Sequence, residues 1–360
     1  MLVIDAHLDL AWNALNWNRD LTIPVAEIRR REAGMKEDYR GANTVSLPEM
    51  RKAEVVICLA TVLARAADLG DSKLDYRNQE IACAMARGQL AYYRLLEEQG
   101  RLRMLKTWRE IESHLGEWQA AKGLTCPLGF ILSMEGADPI LSSRQLDEWW
   151  DDGLRVVGLA HYGQSAYAHG TGATGGLSAA GVELLAAMDR LGLALDMTHL
   201  SEESFWQALE QFKGPVLASH NNCRALVPGD RQFSDEQIRA LIAREAVIGA
   251  AFDSWMLLPG YVPLVTDNSL VSLDRVADQI DHICQLAGNV RHAAIGSDLD
   301  GGFGREQSPH DLDTIVDLQR IPELLRRRGY AEVDVEAVMH GNWLRFFRRA
   351  WPPENRPRVG

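Results

Sequence analysis

The chain is 360 residues long and 46% hydrophobic, which allows a large core and fits either one elaborated barrel or two ordinary domains. Its 38 Lys and Arg against 50 Asp and Glu give a formal net charge of −12, and no block of basic residues could follow a phosphate backbone. We therefore expect no nucleic-acid partner.

The cysteines and the first residues indicate the cellular compartment in which the protein works. The five cysteines are scattered and none forms a CxxC pair, which is typical of a reducing environment. Residues 1–7 read as a buried strand, with no leader segment ahead of them. No apolar stretch approaches the ~20 residues of a membrane span. These features predict a soluble cytoplasmic protein without a membrane partner.

Eight short apolar runs, rich in β-branched residues, alternate with longer stretches of helical periodicity along the chain. The predicted strands are residues 2–5, 55–62, 129–134, 154–160, 194–197, 215–219, 246–252 and 293–296. Amphipathic helices are predicted between them, among others at residues 179–191, 202–212, 235–244 and 273–286, several of them opened by a Ser, Thr or Asp cap.

Eight strand–helix units predict a closed parallel (β/α)₈ TIM barrel, with an open α/β sheet as the alternative. Two extra C-terminal helices are predicted at residues 312–328 and 333–349. We expect one domain over residues 1–351, followed by a loosely attached tail over 352–360. The segment from about 13 to 48 is expected to form a long loop over the barrel mouth.

Potential metal ligands stand at the C-terminal ends of six of the predicted strands. They are His7 and Asp9 after the first strand, Glu135 after the third, His161 after the fourth, His199 after the fifth, His220 after the sixth and Asp298 after the eighth. Such ends meet at one face of a barrel. Buried strands otherwise favour Val, Ile and Leu, so ionisable groups there need partners, although each residue alone could be an ordinary hydrogen-bonded side chain.

Two metal ions would be suitable partners for these groups. His7 and Asp9, two residues apart, point to the same side of an extended strand and could hold one ion. Glu135 could bridge to a second ion, which His199 and His220 would complete. Imidazoles and carboxylates suit Zn²⁺, with Mn²⁺ or Co²⁺ as substitutes. A pair of ions about 3.5–4 Å apart can share a bridging hydroxide that attacks a carbonyl or a phosphoryl group.

Six motifs, in the same order along the chain, resemble the signatures of the membrane-dipeptidase (renal dipeptidase-like) family of metal-dependent hydrolases. They are Asp5-Ala6-His7-Leu8-Asp9-Leu10, Met134-Glu135-Gly136, Ala194-Leu195-Asp196-Met197-Thr198-His199-Leu200-Ser201, Ala218-Ser219-His220, Gly296-Ser297-Asp298-Leu299-Asp300-Gly301 and Gly341-Asn342-Trp343-Leu344-Arg345. The resemblance runs from about residue 2 to residue 349, and the motifs are much more specific together than singly.

The resemblance implies a dipeptidase with two Zn²⁺ per chain that cleaves small dipeptides, including those with a C-terminal D-residue, and it implies a homodimer. His7 and Asp9 would bind one zinc ion, His199 and His220 the other, and Glu135 both.

The same resemblance assigns three further roles. Asp298 would carry the proton from the attacking water to the departing amine. His161 would donate to the developing oxyanion. Arg231 would grip the terminal carboxylate of the substrate, whereas an ordinary surface arginine is the alternative reading of that position.

Two loops depart from the family pattern, residues 162–170 after His161 and residues 253–259 after the seventh strand. Because the first of them lines the substrate side, a second hypothesis keeps the binuclear site but changes the substrate to another small amide, an N-acyl amino acid or a lactone. A third hypothesis is a barrel that has lost catalysis and serves as a scaffold. The complete set of ligand positions argues against it.

Overall fold

The protein is described by a computed structural model for residues 1–67, 70 and 73–352. Nine strands lie in this part of the chain, and every pair between them is parallel. They are β1 (Val3–Leu8), β2 (Val55–Leu63), β3 (Leu102–Met104), β4 (Leu128–Glu135), β5 (Leu154–Gly158), β6 (Ala194–Asp196), β7 (Val216–Leu217), β8 (Ile248–Ala250) and β9 (Ala293–Ile295).

Helices follow or separate these strands. They are α1 (Leu10–Asn16), α2 (Val25–Glu32), α3 (Leu47–Lys52), α4 (Gln79–Glu98), α5 (Trp108–Ala121), α6 (Leu146–Asp151), α7 (Ala179–Leu191), α8 (Glu202–Gln211), α9 (Asp235–Ala243), α10 (Asp274–Ala287), α11 (Ile321–Arg327), α12 (Glu332–Glu336) and α13 (Asn342–Ala350). Serine side chains cap α7, α8 and α9 by accepting a backbone N–H of the first turn. Within the described residues, no helix has both the length and the apolar character that crossing a membrane requires.

The strands form a (β/α)₈ barrel. Neighbours follow in the order β1-β2-β4-β5-β6-β7, and β3 pairs with the first residues of β4. β8 and β9 pair with each other, and a parallel bridge from Ala218 to Ile248 joins them to the end of β7. Between β9 and β1, the backbone N–H and hydroxyl of Ser297 donate to Asp5 at 2.8 and 2.5 Å. Hydrogen bonds thus link the last strand to the first.

The core lies inside the ring of strands and between strands and helices. Every residue of β1, β2 and β4 is buried, as expected for parallel strands covered on both faces. β7, β8 and β9 lie so close together that no side chain fits between them. A Cβ at Gly249 or Gly296 would lie only 2.1 or 1.7 Å from the carbonyl oxygen of Ser219. Only glycine permits that approach.

The eight predicted strands and the closed barrel are confirmed, and the open sheet is excluded. The prediction missed the three-residue strand β3. The prediction of a long loop over residues 13–48 was wrong, because the segment contains most of α1, all of α2 and the first residues of α3. The predicted tail lies, from residue 353 onward, outside the described residues.

The predicted C-terminal helices both exist, but neither is continuous. The first begins as a 3₁₀ segment, Ile315–Arg320, before α11. In the second, a π-helical segment, Ala337–Gly341, stands between α12 and α13. α13 then places Trp343 so that its indole N–H donates to the carbonyl oxygen of Ile295 at 2.9 Å, at the end of β9. The C-terminal helix therefore supports the strand that carries Asp298.

We expect Trp343→Ala to lower the free energy of unfolding by about 3–5 kcal/mol, because it removes a fully buried indole and leaves a cavity. Trp343→Phe should cost less, since most of the ring volume remains. Urea unfolding followed by circular dichroism measures both. Trp206→Ala is the matched control, because Trp206 is 37% exposed and its loss should cost under about 1 kcal/mol. Equal losses for Trp343→Ala and the control would contradict the supporting role of α13.

Candidate metal centre and active site

The first group of potential ligands combines residues from the ends of β1 and β4. The Nε2 atom of His7 is 3.6 Å from a carboxylate oxygen of Asp9 and 3.4 Å from Oε2 of Glu135, the last residue of β4. One ligand atom from each of these three residues lies within 4.8 Å of the others. All three residues are buried, and the hydroxyl of Thr61 on β2 donates to Asp9.

The second group shares Glu135 with the first. Its other oxygen, Oε1, is 3.3 Å from Nε2 of His199 and 3.4 Å from Nε2 of His220. These two Nε2 atoms are 3.2 Å apart. Glu135 therefore directs one oxygen to each group, which is the arrangement of a carboxylate that bridges two ions.

Asp298 follows β9 and faces both groups. One of its carboxylate oxygens is 3.8 Å from Nε2 of His7, and the other is 3.9 Å from Nε2 of His220. Burial raises the pKa of the Asp298 carboxyl well above its usual range, and the nearby Glu135 and Asp9 carboxylates add to that rise. The structure thus places a third carboxyl group beside both ligand groups.

Hydroxyl groups contact Nδ1 of the three histidines, on the side of each ring away from Glu135. Nδ1 of His199 is 3.1 Å from the hydroxyl of Thr171, and Nδ1 of His220 is 2.8 Å from the hydroxyl of Ser219. Ser219 also lies 3.4 Å from Nδ1 of His7. Because each Nδ1 has a polar partner, each Nε2 is directed toward Glu135, as is usual where imidazoles bind metal.

The donor set fits divalent metal ions. Nε2 of His7 is buried without a hydrogen-bond partner, and the Nε2 atoms of His199 and His220, 3.2 Å apart, both face Oε1 of Glu135. Burial opposes the charged form of His7, yet the carboxylates of Glu135 and Asp9 outweigh it and raise its pKa well above the usual range. The carboxylates therefore demand positive charge, which bound cations would supply.

Two of these residues adopt a backbone conformation that is unusual for side-chain-bearing residues. His199 has φ 67° and Asp298 has φ 59°, both in the left-handed region. A Cβ at Gly301 would lie 1.9 Å from a carboxylate oxygen of Asp298, so a glycine there leaves space for this carboxylate. Such strained positions cluster at functional sites.

The structure brings His161 and Arg231 to the same cavity as the ligand groups. Nε2 of His161 is 3.8 Å from Oε1 of Glu135. The guanidinium of Arg231 donates to the side-chain oxygen of Asn221 at 2.6 Å and to the carbonyl oxygen of His220 at 3.0 Å. Arg231 is only 3% exposed, so the reading as an ordinary surface arginine is wrong.

The cavity has a volume of about 370 Å³ and contains residues that the sequence did not single out. Arg65 and Asp253 are its additional charged lining residues, and Trp12, Leu63, Leu74, Trp255 and Met256 supply apolar surface. Burial raises the pKa of Asp253 to about 7. Arg65 and Asp253 each follow a strand by three residues or fewer, β2 and β8, and this position at the barrel mouth was the one signal that could have found them.

Most of the remaining histidines have partners away from this cavity. His114, His292, His310 and His340 each bond a backbone carbonyl, at Val56, Ala246, Val271 and Leu2, and His282 contacts Asp235. Each of these five histidines therefore has a structural contact outside the two ligand groups. His169, in the loop after His161, has Nδ1 2.9 Å from the carbonyl oxygen of Gly176.

Comparisons with known proteins place this arrangement in context. The family model for the membrane dipeptidases, peptidase family M19, matches residues 1–356. An uncharacterized protein in the pqqA 5′ region of Klebsiella pneumoniae is 28% identical over 235 residues, which cover 62% of this chain and 83% of that protein. Dipeptidase aclJ of Aspergillus oryzae is 30% identical over 223 residues, which cover 60% of this chain and 50% of that protein. The matched part thus spans only about half the length of aclJ.

The overall fold also matches solved structures. A metallopeptidase from Rhodobacter sphaeroides, liganded with a phosphinate mimic of the dipeptide L-Ala-D-Ala, superposes with a TM-score of 0.77 at 23% identity, covering 98% of this chain and 99% of that one. At this identity the match establishes the fold. The family model, which spans nearly the whole sequence, shows that the chain belongs to the membrane dipeptidase family, peptidase family M19, and is a hydrolase of the metallo-dipeptidase class.

Proposed function

We propose that the protein is a zinc-dependent dipeptidase that hydrolyses the amide bond of small dipeptides. The observation that carries this proposal is Glu135, whose two oxygens face separate groups of imidazole and carboxylate ligands. The cavity of about 370 Å³ beside it suits a small ligand rather than a long peptide.

Two Zn²⁺ ions per chain fit the donors best, because neutral imidazoles and carboxylates are typical zinc ligands. His7, Asp9 and Glu135 would hold one ion, and Glu135, His199 and His220 the other. Mn²⁺ or Co²⁺ could substitute. When bound, the ions would supply the Lewis acidity that activates water toward the scissile carbonyl.

In this proposal Asp298 moves the proton. Its position between His7 and His220 lets it accept a proton from the attacking water and deliver it to the nitrogen of the departing amine. Its two oxygens face different ligand groups, so the same carboxylate can serve both steps.

His161 and Arg231 position the substrate. His161 would donate a hydrogen bond to the oxygen that becomes negative in the tetrahedral intermediate. Burial, together with the positive charges of Arg65 and Arg231, lowers the pKa of His161 well below its usual value, which favours the neutral imidazole. Arg231 would bind the C-terminal carboxylate, and a planar guanidinium suits that task.

The proposal also extends to the kind of substrate that the protein accepts. The ligand of the Rhodobacter sphaeroides enzyme mimics a dipeptide with a C-terminal D-residue, and we propose that this chain accepts such dipeptides as well. Another small amide, an N-acyl amino acid or a lactone is the second candidate, because the loops after β5 and β8 depart from the family pattern. The cytoplasmic location and the homodimer stay predictions.

Metal analysis of the purified protein should give about two Zn²⁺ per chain, and chelation should abolish dipeptide hydrolysis until zinc is restored. His199→Ala should lose one ion, because it removes a ligand of one group only. Inductively coupled plasma mass spectrometry measures the ions, and activity is followed on a dipeptide library. A protein that binds no metal would favour the scaffold hypothesis.

Asp298→Asn should keep both metal ions but lower kcat by about 10²- to 10⁴-fold, because the amide cannot accept and return the proton. Asp278→Asn on α10 is the matched control and should leave kcat unchanged. Steady-state kinetics with parallel metal analysis measures both variants. Undiminished turnover by the Asp298 variant would remove this residue from the mechanism.

Arg231→Ala should raise KM for substrates with a free C-terminal carboxylate by about 10- to 100-fold. This is the loss of affinity expected when one charge-assisted hydrogen bond is removed. The C-terminally amidated form of the same substrate is the internal control, because its KM should change little. An equal rise for both substrates would mean that Arg231 supports the loop of Asn221 and does not bind the carboxylate.

A further inference from the structure

Arg65 lies against the side of His161 that faces away from the metal ligands. It follows β2 by two residues, is 7% exposed and lines the cavity. Its Nη1 atom is 3.1 Å from Nδ1 of His161. Neither the family motifs nor the ligand pattern in the sequence points to this residue.

The chemistry of the two groups fixes the direction of this hydrogen bond. A guanidinium has only N–H donors and no acceptor, so Nδ1 of His161 must be the acceptor. A neutral imidazole that accepts at Nδ1 carries its single proton on Nε2. Nε2 is the atom on the Glu135 side of the ring, 3.8 Å from Oε1 of that residue. The contact therefore makes the ring nitrogen that faces the site a hydrogen-bond donor.

We propose that Arg65 is a positioning residue that holds His161 in the Nε2–H tautomer, the form able to donate to the oxyanion. The proposal rests on the function proposed above for its catalytic consequence. The opposite tautomer would direct a lone pair at the developing negative charge and would oppose it.

Arg65 is itself held in place by backbone and side-chain contacts. Its backbone N–H donates to the carbonyl oxygen of Leu74 at 3.1 Å, and its carbonyl accepts from the N–H of Tyr76 at 2.9 Å. Its Nε donates to the carboxylate of Asp75, which lies opposite it in an isolated β-bridge. These contacts fix the guanidinium before any substrate arrives, as preorganised catalysis requires.

A buried carboxylate ties the Arg65 segment to the loop that follows His161. One oxygen of Asp138 accepts the backbone N–H of Ala66 at 2.9 Å, and the other accepts that of Ala166 at 3.0 Å. Asp138 is 2% exposed. The two segments that carry the donor and the acceptor are thus joined through one side chain, so that they keep a common position.

The first test compares Arg65→Met, which has no donor, with Arg65→Lys, which keeps one. On a dipeptide substrate of the zinc-loaded protein, Arg65→Met should lower kcat by about 10- to 100-fold with little change in KM, part of the loss seen when an oxyanion donor is removed outright. Arg65→Lys should recover part of that loss. Arg190→Gln, which breaks an exposed pair with Asp147, is the matched control and should leave kcat unchanged.

A double-mutant cycle shows whether Arg65 acts through His161. In a His161→Ala background, Arg65→Met should cause no further loss of kcat, because the group that it positions is gone. The proposal would be overturned if Arg65→Met lowered kcat in the His161→Ala background by the same factor as in the wild type, or if its main effect were a higher KM. Either result would make Arg65 a direct substrate contact. Metal content is measured for every variant, since a loss of ions would also overturn it.

A spectroscopic test does not depend on turnover. In zinc-loaded protein with ¹⁵N-labelled histidine, the His161 side-chain signal, identified by its absence in His161→Ala, should show a proton on Nε2 and none on Nδ1. Arg65→Met should populate the other tautomer. A wild-type proton on Nδ1 would refute the proposal, whereas the expected spectrum without any dipeptide hydrolysis would instead count against the proposed function.

Discussion

The structure depends on the burial of one carboxylate, Glu135, among groups that cannot be buried together without positive charge. Imidazole nitrogens of three histidines approach its two oxygens, and two further carboxylates, Asp9 and Asp298, stand close by. Leaving such groups unpaired in the interior would cost several kcal/mol each. Bound cations would complete this cluster and offset that cost, and the hydroxyl groups that contact Nδ1 of each imidazole keep Nε2 directed toward it.

The barrel meets this requirement by how its strands end. β1, β4, β6, β7 and β9 each deliver one part of the cluster, at positions where the backbone leaves the sheet. The same region also closes the barrel, since Asp5 accepts both donors of Ser297, next to Asp298. Asp5 thus supports the site without belonging to either ligand group, because the hydrogen bonds that close the barrel also fix the residue beside Asp298.

The sequence predicted the ligand cluster well because strand ends can be read from local patterns. Apolar runs followed by His or an acidic residue place such side chains at one face without further information. The helices within residues 13–48 were missed because they are short and irregularly spaced. Arg65 was missed for another reason. Its position after β2 could have placed it at the barrel mouth, but no local pattern shows that it contacts His161, nearly a hundred residues away.

The bond between Ser297 and Asp5 joins residues 292 positions apart, and Trp343 supports the last strand from still further along the chain. Contacts of such sequence separation form slowly, since a long loop must close first. During synthesis, β1 leaves the ribosome long before Ser297 and Trp343 exist, so the first strand waits without the contacts that close the barrel. Closure of the barrel must therefore wait until nearly the whole chain has been synthesised, and a chain that stops before Ser297 lacks the hydrogen bonds that join the last strand to the first.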